Sequence, residues 1–397
     1  MNDRLVYLDN AATTPLAPEV IQVITSSIQE LYGNPSSIHS EGRKVRSAIE
    51  RARKSVARLI GCSPAEVFFT SGGTEADNMA IHCAIRDLGI TQVVSSPLEH
   101  HAVLHTLQTL AESGAITLQF VRTDSCGRVD LGHLEELLKG TGCPALVSLM
   151  HANNETGTLL DLGTTGEICR RHKAVFHSDT VQTVGHYHFN LQELPVDIIT
   201  CAAHKFHGPK GVGFIFVRGN LKLKALIEGG SQERNMRGGT ENVYGILGLA
   251  KALELAMENL LEQTNYVQEL KDRMTASLSE KIPGVEINGC SQAHESLYTV
   301  LNVSLPNNEL GDMLLFNLDI NGICASGGSA CSSGSSIGSH VLSALGVPSG
   351  RPSVRFSFSH YTTSSDVDYA AGKLAQLAGF GEAQAIPSYS SESPDGI

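Results

Sequence analysis

The sequence predicts an α/β fold, a mostly parallel sheet with helices on both faces, followed by a smaller α+β unit. Three observations predict it. Short continuous apolar runs alternate with helical patterns from about residue 65 to 220, as in strands buried on both faces of a parallel sheet. Apolar residues then recur at three- and four-residue spacing from Glu241 to Ile282. Finally, 397 residues with 41% hydrophobic and 18% charged side chains give an ordinary globular balance, with length enough for two domains.

In chain order, Met1 to Asn10 carries Asp3 and Asp9 and lacks the cationic start and apolar middle of a secretory signal, so the expected location is cytoplasmic. Seven strands are expected: Val67 to Thr70, Gln92 to Ser95, Ile116 to Val121, Ala145 to Met150, Ala174 to Ser178, Val196 to Ala202 and Val212 to Arg218. Asp130 to Lys139 and Gly163 to His172 read as helices between them. Residues 241 to 282 form one long helix or two abutting ones, ended by Pro283 and Gly284. Tyr298 to Val303 and Ser353 to Ser359 are strand signals of the second unit. The expected division is an N-terminal segment 1–15 packing with the small domain, a large domain 16–260, a small domain 261–380 and a disordered tail 381–397.

A net charge of −12 argues against nucleic acid as a partner, and no apolar run approaches the roughly 18 residues of a membrane span. Nine scattered cysteines with no CxxC pair predict free thiols in a reducing compartment. Cys324 is expected to be buried, and no metal site is expected from Cys324 and Cys331 without further ligands.

Ligands of open parallel sheets bind beyond the strand carboxyl ends, and those ends carry the polar groups. "FFTSGGTEADN", Phe68 to Asn78, is either a phosphate cradle at a helix start, with Gly73 and Thr74 at its lip, or a tight strand-to-helix turn. Asp179 in "VFHSDTVQTVGH" is either a helix cap or a partner for a cationic ligand atom. In "AAHKFHGPKG", Ala202 to Gly211, Lys205 follows an apolar strand, so its amine enters the crevice partly desolvated and nucleophilic, whereas Lys210 falls in an exposed turn. His100 and His101 of "PLEHHAVL" serve proton transfer, ring stacking or structure; Asn153 and Asn154 of "HANNETG" read alone as a turn. Together these groups suit a phosphate-bearing aromatic aldehyde held by a lysine, with a carboxylate for its ring nitrogen, which is the binding logic of pyridoxal phosphate.

"ASGGSACSSGSS", Ala325 to Ser336, sets Cys331 among small residues that lower the barrier to movement of a segment 324–338. Alone it reads as a flexible linker with an incidental cysteine; beside the lysine and acid it reads as a mobile nucleophile.

These segments, with "YLDNAATTP" from Tyr7, "GGSQERNMRGGTEN" and "VRFSFSHYTT" from Val354, resemble in one order the fold-type I, class V aminotransferase group, and within it the cysteine desulfurases. The resemblance implies a pyridoxal phosphate-dependent homodimer in which Lys205 joins the cofactor aldehyde and moves the substrate Cα proton. Asp179 would hold the ring nitrogen protonated, His100 would stack on the ring, and Asn154 and Gln182 would lie near its hydroxyl. Thr74, with Gly73, and His204 would bind the phosphate, and Thr240 would reach it from the second subunit. Arg355 would take the carboxylate of L-cysteine, near Asn154, and Cys331 its sulfur, passed on as a persulfide to an acceptor protein for iron–sulfur cluster assembly or RNA thiolation. Asn34 and His39 of "GNPSSIHSEGR" would lie near the entrance, although a loop histidine with a local hydrogen bond explains His39 as well. Ala202 departs from the family, whose members often have a serine touching the phosphate there. A selenocysteine lyase or other β-lyase of this fold, or a non-catalytic scaffold, is the alternative.

Overall fold

The structure, a computed structural model, describes residues 4–139, 144–306, 311–327, 338–348 and 350–380. Strand β1 (Val6–Tyr7) and helices α1 (Pro18–Glu30) and α2 (Ser40–Leu59) precede the main sheet. Then come β2 (Val67–Thr70), α3 (Gly73–Leu88), β3 (Gln92–Ser95), α4 (His101–Glu112), β4 (Thr117–Phe120) and α5 (Leu131–Lys139). The sheet is completed by β5 (Ala145–Ser148), α6 (Leu162–Arg171), β6 (Val175–Asp179), β7 (Ile198–Ala202) and β8 (Gly213–Val217). Its order is β2-β8-β7-β6-β5-β3-β4, seven strands as expected, with β8 antiparallel to both its neighbours and the other pairings parallel.

Side-chain alternation explains why helices cover both faces. Phe69, Val94, Val147, Phe176, Ile199 and Phe214 pack in one core with α2, α5, α6 and a later helix α7 (Val243–Glu258). Their neighbours Phe68, Val93, Leu146, Ile198 and Ile215 pack on the opposite side against α3 and α4. Apart from the edge strand β4, whose residues are half-buried or exposed, the strands turn nearly every residue onto a core, which is the origin of the continuous apolar runs.

The 241–282 pattern resolves into two helices, α7 and α8 (Leu260–Lys281), separated at Asn259, whose φ of −122° and ψ of 28° leave the helical region. Short β9 (Glu286–Asn288), β10 (Val300–Ser304), α9 (Leu314–Ile320), β11 (Ile323–Cys324), α10 (His340–Ala344), β12 (Ser353–Ser357) and α11 (Ser364–Leu377) complete the chain. An antiparallel sheet ordered β12-β10-β9 shares a second core with α8 and α11. Val6, Leu8 and Ala11 enter that second core, and β1 pairs in parallel with β11. Cys324 corrects the expectation of burial: it is half-buried, because β11 is a two-residue strand with one partner.

The segment after β8 contains three successive non-glycine residues in the left-handed region, Glu233, Arg234 and Asn235 at φ 44°, 56° and 63°. Such a run is held by something else. Arg53 of α2 clasps the Glu233 carboxylate in two bonds of 2.7 and 2.8 Å, both side chains being 3% exposed, and stacks over Phe69. No helix of the described residues is long and apolar enough to cross a membrane.

Candidate active site

The carboxyl ends of β2, β3, β5, β6 and β7 converge with β12 and the N-terminal segment on a cavity of about 200 Å³. Gly73 and Thr74 begin α3 at one side; His100, Asn154, Asp179 and Gln182 follow β3, β5 and β6. His204 and Lys205 stand on the turn after β7, and Arg355 enters from β12. Nine residues expected at a cofactor or substrate thus line one chamber. Ala202 lines it too, offering a methyl group where a serine would give a hydroxyl.

Lys205 is fixed from two directions. Its Nζ donates to the carbonyls of Ala11 and Ala12 at 2.6 and 3.0 Å, while its own carbonyl lies 3.1 Å from His186 Nε2. A carbonyl only accepts, so Nε2 carries the proton and the His186 Nδ1 accepts from Tyr298 Oη at 3.0 Å. Thr14 bonds to the His204 carbonyl at 2.9 Å through its N–H, and to the His207 N–H at 2.7 Å through its hydroxyl, strapping the lysine turn to the N-terminal segment. Gly185 is required beside it: at φ 83° a Cβ would stand 2.7 Å from the Phe206 Cβ.

Asp179 is buried and accepts from the Val181 N–H at 2.9 Å. Burial first, then the nearby Asp77 charge, pushes its carboxyl up to about 7, against the pull of the Val181 N–H, His177 and Lys205. A cationic ligand atom alongside would relieve that desolvation, which the protein leaves mostly unpaid. His100 caps α4, its Nδ1 accepting from the Ala102 N–H at 3.2 Å. Burial, then the Lys205 charge, pushes it down to about 4, so the ring in the chamber is neutral and its Nε2 holds the proton. The cap and the chamber wall are one histidine.

The amino end of α3 has Gly72 as its N-cap, at φ 154°, without a side-chain cap bond. An adjoining cleft of about 370 Å³ is lined by Ser71, Gly72, Gly73, Thr74, His204 and Lys210, and by Glu75, whose carboxylate is taken up by Arg237 and the Ser71 N–H. Uncapped helix N–H groups, a lysine and an imidazole suit an anion. A Cβ on Gly73 would stand 2.7 Å from Val181 Cγ2, so a larger residue would close the cradle. Amine, buried acid and anion cradle together fit the three functional ends of pyridoxal phosphate. Arg355, 1% exposed, donates to the Asn154 carbonyl at 2.8 Å and to Asp9 Oδ1 at 2.9 Å, leaving Nε without a partner among the described residues.

Three expected residues do not line the chamber. Asn34 is exposed and accepts from the Ser36 N–H at 2.8 Å; His39, also exposed, caps α2 by accepting from Gly42 N–H at 3.3 Å. Within one chain both make local turn and cap bonds, which is the plainer of the two readings of His39. Thr240 is exposed on the segment after β8. Cys331 lies outside the described residues, whose nearest members are Gly327 and Gly338. The sequence reading missed Asp77, which lines the chamber one turn into α3, and Asp9, the partner of Arg355. Asp77 lies inside a helix pattern that gives it no signal of its own, and Asp9 lies 346 residues from Arg355, beyond any local pattern.

The family model for class-V aminotransferases matches residues 6–370. The chain is 42% identical over 378 residues to the cysteine desulfurase IscS of Dictyoglomus turgidum, covering 94% of each. Among solved structures it is similar to a NifS-like protein, with a TM-score of 0.87 and 36% identity over 95% of this chain and 100% of that one. It is also similar to SspA in complex with cysteine, at a TM-score of 0.78 and 29% identity over 90% of this chain and 100% of the other. The chain belongs to the class-V aminotransferase family.

Proposed function

We propose that this protein is a pyridoxal phosphate-dependent cysteine desulfurase, converting L-cysteine and the Cys331 thiol to L-alanine and a Cys331 persulfide. The observation that carries the reading is the meeting of Lys205, Asp179 and Arg355 in one chamber, in a chain similar over 94% of its length to a cysteine desulfurase. Pyridoxal phosphate, when bound, supplies an aldehyde for amine capture and a ring that accepts electrons from the substrate Cα.

The chain's own residues do the rest. Lys205, half-buried and held by carbonyl oxygens, is the amine for the aldehyde and the group that takes and returns the substrate Cα proton. Asp179 keeps a proton on the ring nitrogen, and the neutral His100 ring lies in the chamber wall without adding charge. The α3 amino end, Thr74 and His204 hold the phosphate; Asn154 and Gln182 orient the ring hydroxyl. Arg355 holds the substrate carboxylate through its remaining N–H donors. Cys331 then takes the substrate sulfur, and the persulfide passes to an iron–sulfur scaffold or a sulfur carrier.

The working unit in this reading is a cytoplasmic homodimer, with Thr240 completing the phosphate site of the other subunit and Asn34 and His39 at the entrance. We divide the chain into a large domain 16–260 and a small one 261–380, the latter holding the segment 324–338. The experiment is an absorption spectrum and an alanine assay: wild-type protein supplied with pyridoxal phosphate shows imine absorbance near ~420 nm and forms alanine from L-cysteine. Lys205→Ala loses both, and Cys331→Ala keeps the absorbance but forms no persulfide. Activity confined to L-selenocysteine would replace the reading with a selenocysteine lyase.

A further inference from the structure

Asp77 has no part in the reading above, yet it stands in the chamber wall at 1% exposure. His177 and Asp179 alternate with Ser178 along β6, and Phe176 packs on the far core, so both project to the face that α3 covers. Thr200 of β7 faces the same way, as its bond to α3 requires. There Asp77 Oδ1 accepts from the Thr200 hydroxyl at 2.6 Å and lies 3.5 Å from His177 Nε2. The other nitrogen of His177 is 2.9 Å from the Ser148 hydroxyl. Glu99 and His100 face this site from the turn before α4, and His204 and Lys205 from the turn after β7. The groups nearest to Asp77 are thus a hydroxyl and an imidazole that burial keeps neutral, with its pKa pushed down to about 4. Asp179 is the register partner of Thr200 across β6 and β7, and Asp77 takes the hydroxyl of that same Thr200, so the two carboxyls share one buried wall of the chamber. Two carboxylates placed like this do not both ionise readily.

We propose, building on the reading of the chamber as a pyridoxal phosphate site, that Asp77 and Asp179 titrate as one pair, Asp77 keeping its proton and Asp179 carrying the charge whenever a cationic ring nitrogen lies against it. Asp179 gives one proton to the ring nitrogen and becomes a carboxylate against the new N–H; Asp77 neither gains nor loses one. Asp77 is then a positioning residue. It decides which of two acids is charged and limits the site to one negative charge. Burial pushes both carboxyls up, Asp77 adds to the rise of Asp179, and the Thr200 hydroxyl only partly opposes the rise of Asp77.

The test begins with cofactor-free protein, so pairing is decided independently of ligand binding. Infrared spectra of the protonated-carboxyl carbonyl band are recorded for wild type, Asp77→Asn and Asp179→Asn, with Glu99→Gln identifying the contribution of Glu99. In wild type the pair loses its two protons in two separate steps; each aspartate variant removes one component and leaves a single carboxyl that ionises about one pH unit below the upper wild-type step, because no second charge then forms beside it. Adding pyridoxal phosphate to wild type removes the Asp179 component and leaves that of Asp77. An unchanged band in Asp77→Asn, an unmoved partner, or loss of the Asp77 component on adding pyridoxal phosphate overturns the proposal. Should Asp77→Asn not fold, Asp179→Asn decides: its one remaining aspartate step lies below the upper wild-type step, and a step left at that upper position overturns the proposal. Wild-type protein that does not bind pyridoxal phosphate sinks the proposed function, while the titration in free protein still decides whether the acids are paired.

Discussion

Arg355→Lys tests the substrate clamp most directly. The guanidinium is 1% exposed and spends one NH₂ group on the Asn154 carbonyl and the other on Asp9. Among the described residues its Nε has no hydrogen-bond partner, and each NH₂ group keeps a second N–H, so donors of the planar guanidinium remain beyond those that Asn154 and Asp9 take. A lysine ammonium in the same shaft satisfies Asp9 or the carbonyl and offers the substrate a single point of charge. The loss is one charge-assisted hydrogen bond of about 1.5–3 kcal/mol, or roughly a 10- to 150-fold fall in kcat/KM for L-cysteine, carried mainly by KM. Alanine is assayed against cysteine concentration, and sulfide release from cysteamine, which lacks the carboxylate, is followed in parallel. The variant loses activity on cysteine and not on cysteamine. Equal losses on both compounds would refute the clamp and leave Arg355 as a structural tie between Asn154 and Asp9.

Other consequences are as concrete. Arg53→Met leaves the buried Glu233 carboxylate, among the described residues, with the Phe69 N–H at 2.8 Å, and lowers stability by about 3–5 kcal/mol in denaturant unfolding; Arg53→Met with Glu233→Leu recovers most of it. Gly185→Ala places a methyl group against Phe206 at a φ of 83°, costing about 1–3 kcal/mol, and shifts the adjacent lysine turn, so pyridoxal phosphate dissociates faster in a spectroscopic chase. His207 is buried, its Nδ1 donates to the Pro15 carbonyl at 2.9 Å, and burial pushes it from 6.5 down to about 3. The unfolded chain therefore binds the extra proton between those values, so the contribution of His207 is complete above pH 6.5 and is lost as pH falls through about 3. Melting curves of His207→Asn should show less acid destabilisation than wild type in that window, by an amount growing toward low pH.

What could be read in advance follows how local each signal is. The inner strands were legible because they bury both faces, giving apolar runs such as Val67–Thr70 and Gly213–Val217 that no other element explains at that length. Lys205, Asp179 and the α3 turn were legible because strand ends in an open sheet are defined positions. The break at Asn259 was not fixed, since neither Pro nor Gly marks it and the apolar spacing passes through. Asp77 was hidden inside a helix pattern, where a polar residue ordinarily means solvent; only the approach of Thr200 and His177 from two strands shows that it points inward. The β1–β11 pairing, two residues on each side and more than three hundred apart, leaves no mark that periodicity could detect.

The N-terminal segment explains how one chamber can be built from two cores. Val6, Leu8 and Ala11 belong to the second core, yet the Ala11 and Ala12 carbonyls hold the Lys205 amine, whose turn belongs to the first. Between them, Asp9 holds Arg355 and accepts from the Ser326 hydroxyl at 2.8 Å, just before the segment that carries Cys331. Packing at Leu8 therefore governs both the amine and the clamp, while Asp9 governs the clamp alone. Leu8→Ala, losing about 2–5 kcal/mol of core packing, should weaken pyridoxal phosphate retention and raise KM for cysteine together. Asp9→Ala should raise KM while the absorbance of the bound cofactor stays intact, because the carbonyls on Lys205 come from backbone that the substitution leaves in place. If Asp9→Ala instead released the cofactor as readily as Leu8→Ala, the segment would act as a single rigid strap, and the separation of roles along it would be wrong.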